Sequence, residues 1–104
     1  LPPRCPRCRG ILKSDTVSFG EPIPPDVLDR CFEEAEAADC IIVAGTSATV
    51  YPAAQFPLSI QARGGDLIEV NPYETEVTHL CRYVLGGSTA EILPQLTELV
   101  RARR

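Results

Sequence analysis

The sequence predicts an α/β protein built on an open, mostly parallel sheet flanked by helices. Three observations lead there. Short apolar runs of strand length alternate with longer segments whose apolar residues recur at helical spacing. Each apolar run stops at a cluster of Gly, Ser, Thr, Asn or Pro, the residues that punctuate strand-to-helix loops. No internal repeat or low-complexity stretch divides the 104 residues, which match one small domain.

The elements follow in order. Residues 15–19, DTVSF, are β-branched and aromatic and end at Gly20, as a strand would. Pro24, Pro25 and Asp26 open a helix in which Val27, Leu28, Cys31, Phe32, Ala35 and Ala38 share the core face. Asp29, Glu33, Glu34 and Glu36 take the other side. Residues 40–44, CIIVA, form a continuous apolar run, expected of a strand covered on both faces. After Gly45-Thr46-Ser47 a second helix is expected over residues 52–63, bent at Pro57 and ended by Gly64-Gly65. Residues 66–70, DLIEV, make a third strand stopped by Asn71-Pro72, and residues 73–79 carry no clear pattern. Residues 80–85 predict a fourth strand that stops at Gly86-Gly87. Ser88 and Glu91 form a capping-box pattern before a last helix with Ile92, Leu93, Leu96, Leu99 and Val100 on its core face.

Composition narrows the function classes. Ten basic against fourteen acidic side chains give a net charge of −4, which argues against broad nucleic-acid binding. The basic end RARR reads as a helix C-terminus. No run of about 18 apolar residues occurs, so no membrane span is expected, and no signal-peptide pattern is seen. The chain starts at Leu1 rather than Met, so further sequence upstream is expected. Five cysteines do not suit a closed disulfide framework. Cys31, Cys40 and Cys81 sit among apolar residues and read as buried, reduced thiols, in keeping with a cytoplasmic setting.

In open α/β sheets ligands sit beyond the carboxyl ends of the strands. Here those ends read Gly20-Glu21, Gly45-Thr46-Ser47, Asn71-Pro72 and Gly86-Gly87-Ser88-Thr89. Glycine lets a ligand approach the backbone; hydroxyls, an amide and free N–H groups bind ribose and phosphate. Such residues also serve as turns and caps, so the pattern points to a site without naming its ligand. The G-x-G-x-x-G turn that opens a dinucleotide-binding fold is missing, so the sheet reads as the second half of a Rossmann-like domain.

Residues 5–8 read Cys-Pro-Arg-Cys, followed by Arg9-Gly10. Two thiolates at this spacing, with a glycine behind them, fit half of a tetrahedral zinc site. A redox C-x-x-C would start a helix after a strand, and nothing before Cys5 resembles one. His79 lies far away in another element and reads as a surface or strand-edge residue. The two further zinc ligands would come from upstream sequence, or less simply from a partner chain.

Taken in order and spacing, C-P-x-C-x-G, SFGEPIP, AGTSATVYPAAQFP, IEVNPYET and LGGSTAEILPQL resemble the carboxyl-terminal half of sirtuins, NAD-dependent protein-lysine deacylases. The likeness covers essentially the whole chain. It implies a Rossmann-type domain with a small zinc-binding insert. Residues 1–14 would be the second half of the zinc-binding module, and 15–104 the carboxyl-terminal part of the NAD-binding domain. Cys5 and Cys8 would be two of the zinc ligands. Gly45, Thr46 and Ser47 would contact the ribose and phosphate region of NAD. Asn71, with Pro72 and Tyr73, would hold the adenosine ribose, and Thr89 would lie near the adenine. Val17, Ser18, Phe19, Gly20 and Glu21 on one side, and Thr49, Val50 and Tyr51 on the other, would flank an acylated lysine peptide that adds as a strand. The implied reaction moves the acyl group from lysine to ADP-ribose and releases nicotinamide, with a histidine as general base. That histidine belongs to the upstream half, which is also needed to complete the zinc and NAD sites. No catalytic residue is therefore expected in this chain, and the 104 residues alone are expected to be inactive. Ala48 departs from the family pattern, where leucine is usual. The alternative is a stand-alone nucleotide-binding or zinc-dependent interaction module without catalysis.

Overall fold

The structure is a computed structural model that describes residues 2–104; Leu1, first residue of the expected 1–14 module, lies outside the described residues. Its elements are α1 (Pro25–Ala37), β1 (Cys40–Ala44), α2 (Gln55–Ala62), β2 (Asp66–Asn71), a 3-10 turn (Thr78–Leu80), β3 (Tyr83–Gly86) and α3 (Thr89–Ala102). The three strands form one parallel sheet in the order β1-β2-β3, with Ile41 opposite Leu67 and Ile68 opposite Tyr83.

Local chemistry accounts for the boundaries. Pro25 opens α1, where its fixed φ suits a helix and its missing N–H is not needed. The other end of α1 is closed from outside: the Arg63 guanidinium donates to the carbonyls of Ala35 at 2.5 Å, Glu36 at 3.3 Å and Ala38 at 3.1 Å. Carbonyls that a helix end leaves without partners thus meet a cation, which the helix dipole also favours. Ser88 caps α3 as its sequence pattern implied, its Oγ accepting from the Glu91 N–H at 3.3 Å.

The main core lies between the sheet and the α1/α2 layer. Val43, Ile60, Leu67 and Val77 are buried there with Ala35. Full burial of one such aliphatic side chain contributes about 1.5–3 kcal/mol. Phe32 of α1 meets Phe56 of α2 edge to face, with ring centroids 5.1 Å apart. On the opposite side, α3 leaves a groove along Ile42, Leu93 and Leu96.

Several expectations need correction. Residues 15–19 form no strand, so the sheet has three strands rather than four. Their N–H groups turn instead to local side chains: Thr16 N–H to Ser14 Oγ at 3.2 Å and Ser18 N–H to Glu21 Oε2 at 3.0 Å. β-propensity alone makes no strand without a neighbour to pair with. Gly20-Glu21 is consequently not a strand end. β1 is covered on one face only: Val43 is buried, while Ile42 on the opposite face is 47% exposed. Cys31 and Cys40 are exposed, because α1 and the edge strand β1 leave that side uncovered; Cys81 is half-buried, its Sγ donating to the Val77 carbonyl at 3.1 Å. α2 begins at Gln55, not 52, and Pro57 falls in its first turn, where a missing N–H bends nothing. β3 begins at Tyr83, since Leu80 closes the 3-10 turn through its N–H to Val77 O at 2.9 Å. Val27 and Phe32, assigned to the core face of α1, stay 49% and 36% exposed, and Leu99 and Val100, assigned to that of α3, stay exposed too, because among the described residues nothing packs over the far end of α3.

Candidate functional site

Three chain reversals meet at the carboxyl edge of the sheet. Gly45 follows β1 and donates its N–H to Val70 O at 3.0 Å. Its φ of +65° is a left-handed conformation that glycine adopts without strain. A Cβ there would stand 3.4 Å from Thr89 Cγ2, so the first turn of α3 lies directly beside it. Asn71, the last residue of β2, ties the loops together: its Nδ2 donates to Thr46 O at 3.1 Å, and its Oδ1 accepts from Tyr73 N–H at 3.0 Å. Gly87 N–H donates to Asn71 O at 3.2 Å, bringing the loop after β3 into the same place. Thr46 Oγ1 accepts from Ala48 N–H at 3.1 Å, and the Ser47 and Thr49 hydroxyls are 2.9 Å apart. Gly45, Thr46, Asn71 and Thr89 are therefore neighbours. Pro72 and Tyr73 extend outward from them, Tyr73 being 79% exposed. The edge offers hydroxyls, an amide, backbone approach at glycine and the positive end of α3, a set suited to ribose and phosphate.

A second feature opens beside this edge, a cleft of about 410 Å³. Val17, Ser18, Phe19, Gly20 and Glu21 line one wall, with Val50 and Tyr51 opposite. Thr49 is not in the lining but is bonded to Ser47, as above. Val43, Ala54 and Pro57, which the sequence did not mark as site residues, also line it. Ser18 and Glu21 brace the first wall, since Glu21 N–H donates to Ser18 O and Ser18 N–H to the Glu21 carboxylate, both at 3.0 Å. That backbone N–H, helped by Lys13 at 3.2 Å, holds the Glu21 carboxyl below the usual glutamate range. Among the described residues, the backbones of Val17 and Phe19 make no hydrogen bond within the chain. Thr46 belongs to both features: it lines the cleft and bonds Asn71 at the sheet edge.

A third feature lies at the N-terminal end. Cys5 N–H donates to Gly10 O at 2.8 Å, Arg9 N–H to Cys5 O at 2.9 Å, and Gly10 N–H to Cys8 Sγ at 3.4 Å. Arg4 and Ile11 pair antiparallel across this knuckle. The backbone N–H groups of Cys8 and then Arg7 lower the Cys5 thiol pKa. N–H groups aimed at sulfur favour thiolate, the form a metal binds. Among the described residues no third Cys, His, Asp or Glu joins the pair.

A model described as the Sir2 family matches residues 1–52, half of the chain. The chain belongs to the Sir2 family. It is 50% identical over 99 residues to NAD-dependent protein deacylase 1 of Archaeoglobus fulgidus, a match covering 95% of this chain and 40% of that protein. Among solved structures, it is similar to a Sir2 homologue in complex with NAD, with a TM-score of 0.83 and 48% identity over 99% of this chain and 40% of that one. A Sir2 protein bound to a myristoylated histone peptide gives a TM-score of 0.79 and 34% identity over 98% of this chain and 45% of that one. The chain thus spans less than half the length of these Sir2 relatives.

Arg63 and Glu69 hold the elements on which the site residues stand, and neither was marked from sequence. For Glu69 a signal existed: in DLIEV it alternates in register with Leu67, an inward-facing position where a carboxylate needs partners. For Arg63 there was none, because its target, the end of α1, lies 25–28 residues earlier in the chain.

Proposed function

We propose that this chain is the cofactor-binding part of an NAD-dependent protein-lysine deacylase, an enzyme that transfers an acyl group from lysine to ADP-ribose and releases nicotinamide. The observation that supports it best is the sharing of Thr46 between a sheet edge suited to ribose and phosphate and a cleft of about 410 Å³. A nucleotide on that edge and a chain in that cleft would meet at one loop. When bound, NAD supplies the ribose carbon that accepts the acyl oxygen as nicotinamide departs.

Each residue then has a task. Gly45 leaves room for the cofactor next to α3, while Thr46 and Ser47 offer hydroxyls to it. Asn71 holds the Thr46 and Tyr73 loops at fixed spacing, and its remaining amide N–H is free to meet the adenosine ribose. The unpaired backbones of Val17 and Phe19 suit a peptide that adds as a strand, recognised by its backbone more than its sequence. The likeness to a Sir2 protein bound to a myristoylated histone peptide supports an acylated peptide as the partner. The general base lies elsewhere in the protein. The chain's sole histidine, His79, is exposed on the 3-10 turn and lines neither the cleft nor the edge.

Cys5 and Cys8 fit two ligands of a structural zinc: both are in one knuckle, with N–H groups turned toward sulfur. The remaining ligands are assigned to the rest of the protein, and no chemical step involves the metal. Five thiols, all free of disulfides, support a reducing cytoplasmic setting.

The test uses the complete protein that carries this chain, incubated with NAD and an acetyl-lysine peptide. Deacylated peptide, nicotinamide and acylated ADP-ribose should appear in equal amounts. NAD binding with no such products would support the non-catalytic nucleotide-binding module instead.

A further inference from the structure

Glu69 is the buried charged side chain among the described residues, at 1% exposure. A carboxylate removed from water needs hydrogen bonds in return. Here both oxygens have them: Oε2 accepts from the Thr75 hydroxyl and Oε1 from the Thr78 hydroxyl. The two hydroxyls are also acceptors. Thr78 Oγ1 takes the Thr75 N–H at 2.8 Å, and Thr75 Oγ1 takes the Val77 N–H at 3.3 Å. With backbone N–H groups already on their oxygens, these hydroxyls have protons left to donate, and a side chain with two acceptors receives both. No buried side-chain polar atom among the described residues is left without a partner.

The place of this network matters. Glu69 stands two residues before Asn71, and the segment between β2 and the 3-10 turn has no regular structure of its own. Asn71 holds its first part through Tyr73 N–H, and Glu69 holds its second part through Thr75 and Thr78. Pro72 and Tyr73 lie between these anchors. We infer that Glu69 is a positioning residue of the cofactor site: by fixing Thr75 and Thr78 it sets where Pro72 and Tyr73 stand, and through them the affinity for the adenosine end of NAD. This inference rests on the reading of the sheet edge as an NAD site.

The test is a steady-state comparison in the complete protein. Glu69→Ala, and separately the near-isosteric pair Thr75→Val with Thr78→Val, should raise the KM for NAD by about tenfold, the effect of one lost charge-assisted hydrogen bond. The KM for acyl-lysine peptide should stay at its wild-type value. Glu69→Gln should fall between, because its amide oxygen still accepts from one hydroxyl while the other proton loses its acceptor. A purely structural role would reduce the folded fraction, and with it the apparent kcat, but leave the KM of the surviving enzyme alone. An unchanged NAD KM in folded Glu69→Gln and in the valine pair overturns the inference, as does an equal rise in both KM values. If the wild-type protein binds NAD without deacylating, the same comparison is read as Kd and decides in the same way. A wild-type protein that binds no NAD overturns both this inference and the deacylase reading.

Discussion

Asn71 illustrates how much one side chain can carry. Its two amide atoms join the loop after β1 to the loop after β2, at 3.1 and 3.0 Å. Removing them should loosen the sheet edge and, on the proposed function, delete a contact with the cofactor, each bond being worth about 0.5–1.5 kcal/mol. In the complete protein Asn71→Ala should therefore raise the NAD KM by about tenfold. Its melting curve should remain cooperative; an unaltered NAD dependence would remove Asn71 from the site. Glu21 makes a pH-dependent prediction. The Ser18 N–H, then Lys13, lower its pKa in the folded chain. A depressed carboxyl contributes in full above the ordinary glutamate pKa, and its contribution is lost as pH falls through the lower native value. Wild type should thus bind peptide more tightly than Glu21→Gln at neutral pH, and the two should converge on acidification through that window. Peptide titrations at a series of pH values check this; a constant ratio would detach Glu21 from the cleft wall.

At the scale of elements, the turn joining α2 to β2 has little room. A Cβ on Gly65 would lie 2.5 Å from Ile60 Cγ2, 2.9 Å from Ile60 O and 3.0 Å from Asp39 O. Two of these neighbours are backbone, so relief requires α2 or the start of β1 to move. Gly65→Ala should cost about 1–3 kcal/mol, as overpacking does, measured by urea unfolding. Because α2 also lines the cleft through Pro57, peptide affinity should fall along with stability. Arg63, the C-cap of the same helix, bonds the end of α1 and so ties the two helices into one layer. The contrast with residues 15–19 is informative. Both segments have a suitable local composition, but only α2 has a surface to pack against within the chain.

The whole molecule exposes more than its mass would suggest. A folded monomer of 11.3 kDa is expected to present roughly 5,700 Å² to solvent, whereas this chain presents 8130 Å². Its radius of gyration is 17.2 Å, against about 13 Å for a compact domain of this length. The excess comes from the segment before α1, none of whose described residues is fully buried, and from apolar side chains such as Leu99 at 65% and Val84 at 50% exposure. Such faces call for cover, which the proposed function assigns to the rest of the same protein. Purified alone, the 104-residue chain should bind a hydrophobic dye, unfold with little cooperativity and turn over no acylated peptide. Catalysis by the isolated chain would contradict the placement of the general base elsewhere.

Local sequence specified the approximate spans of β1, β2, α1 and α3, the glycine, hydroxyl and amide residues of the sheet edge, and the cysteine knuckle. These are written in local periodicity, in turn chemistry and in short motifs, each readable within a few neighbouring residues. The family likeness was legible for the same reason. Tertiary structure alone decided that residues 15–19 form no strand and that Val17–Glu21 line a cleft instead, that Cys31 and Cys40 are exposed, and that Thr46 lies at both the edge and the cleft. It also decided which distant groups would satisfy Glu69 and the end of α1. A strand requires a partner, burial requires a covering face, and a buried charge requires donors. Each of those is supplied by residues far along the chain, so local pattern could state the need but not what would meet it.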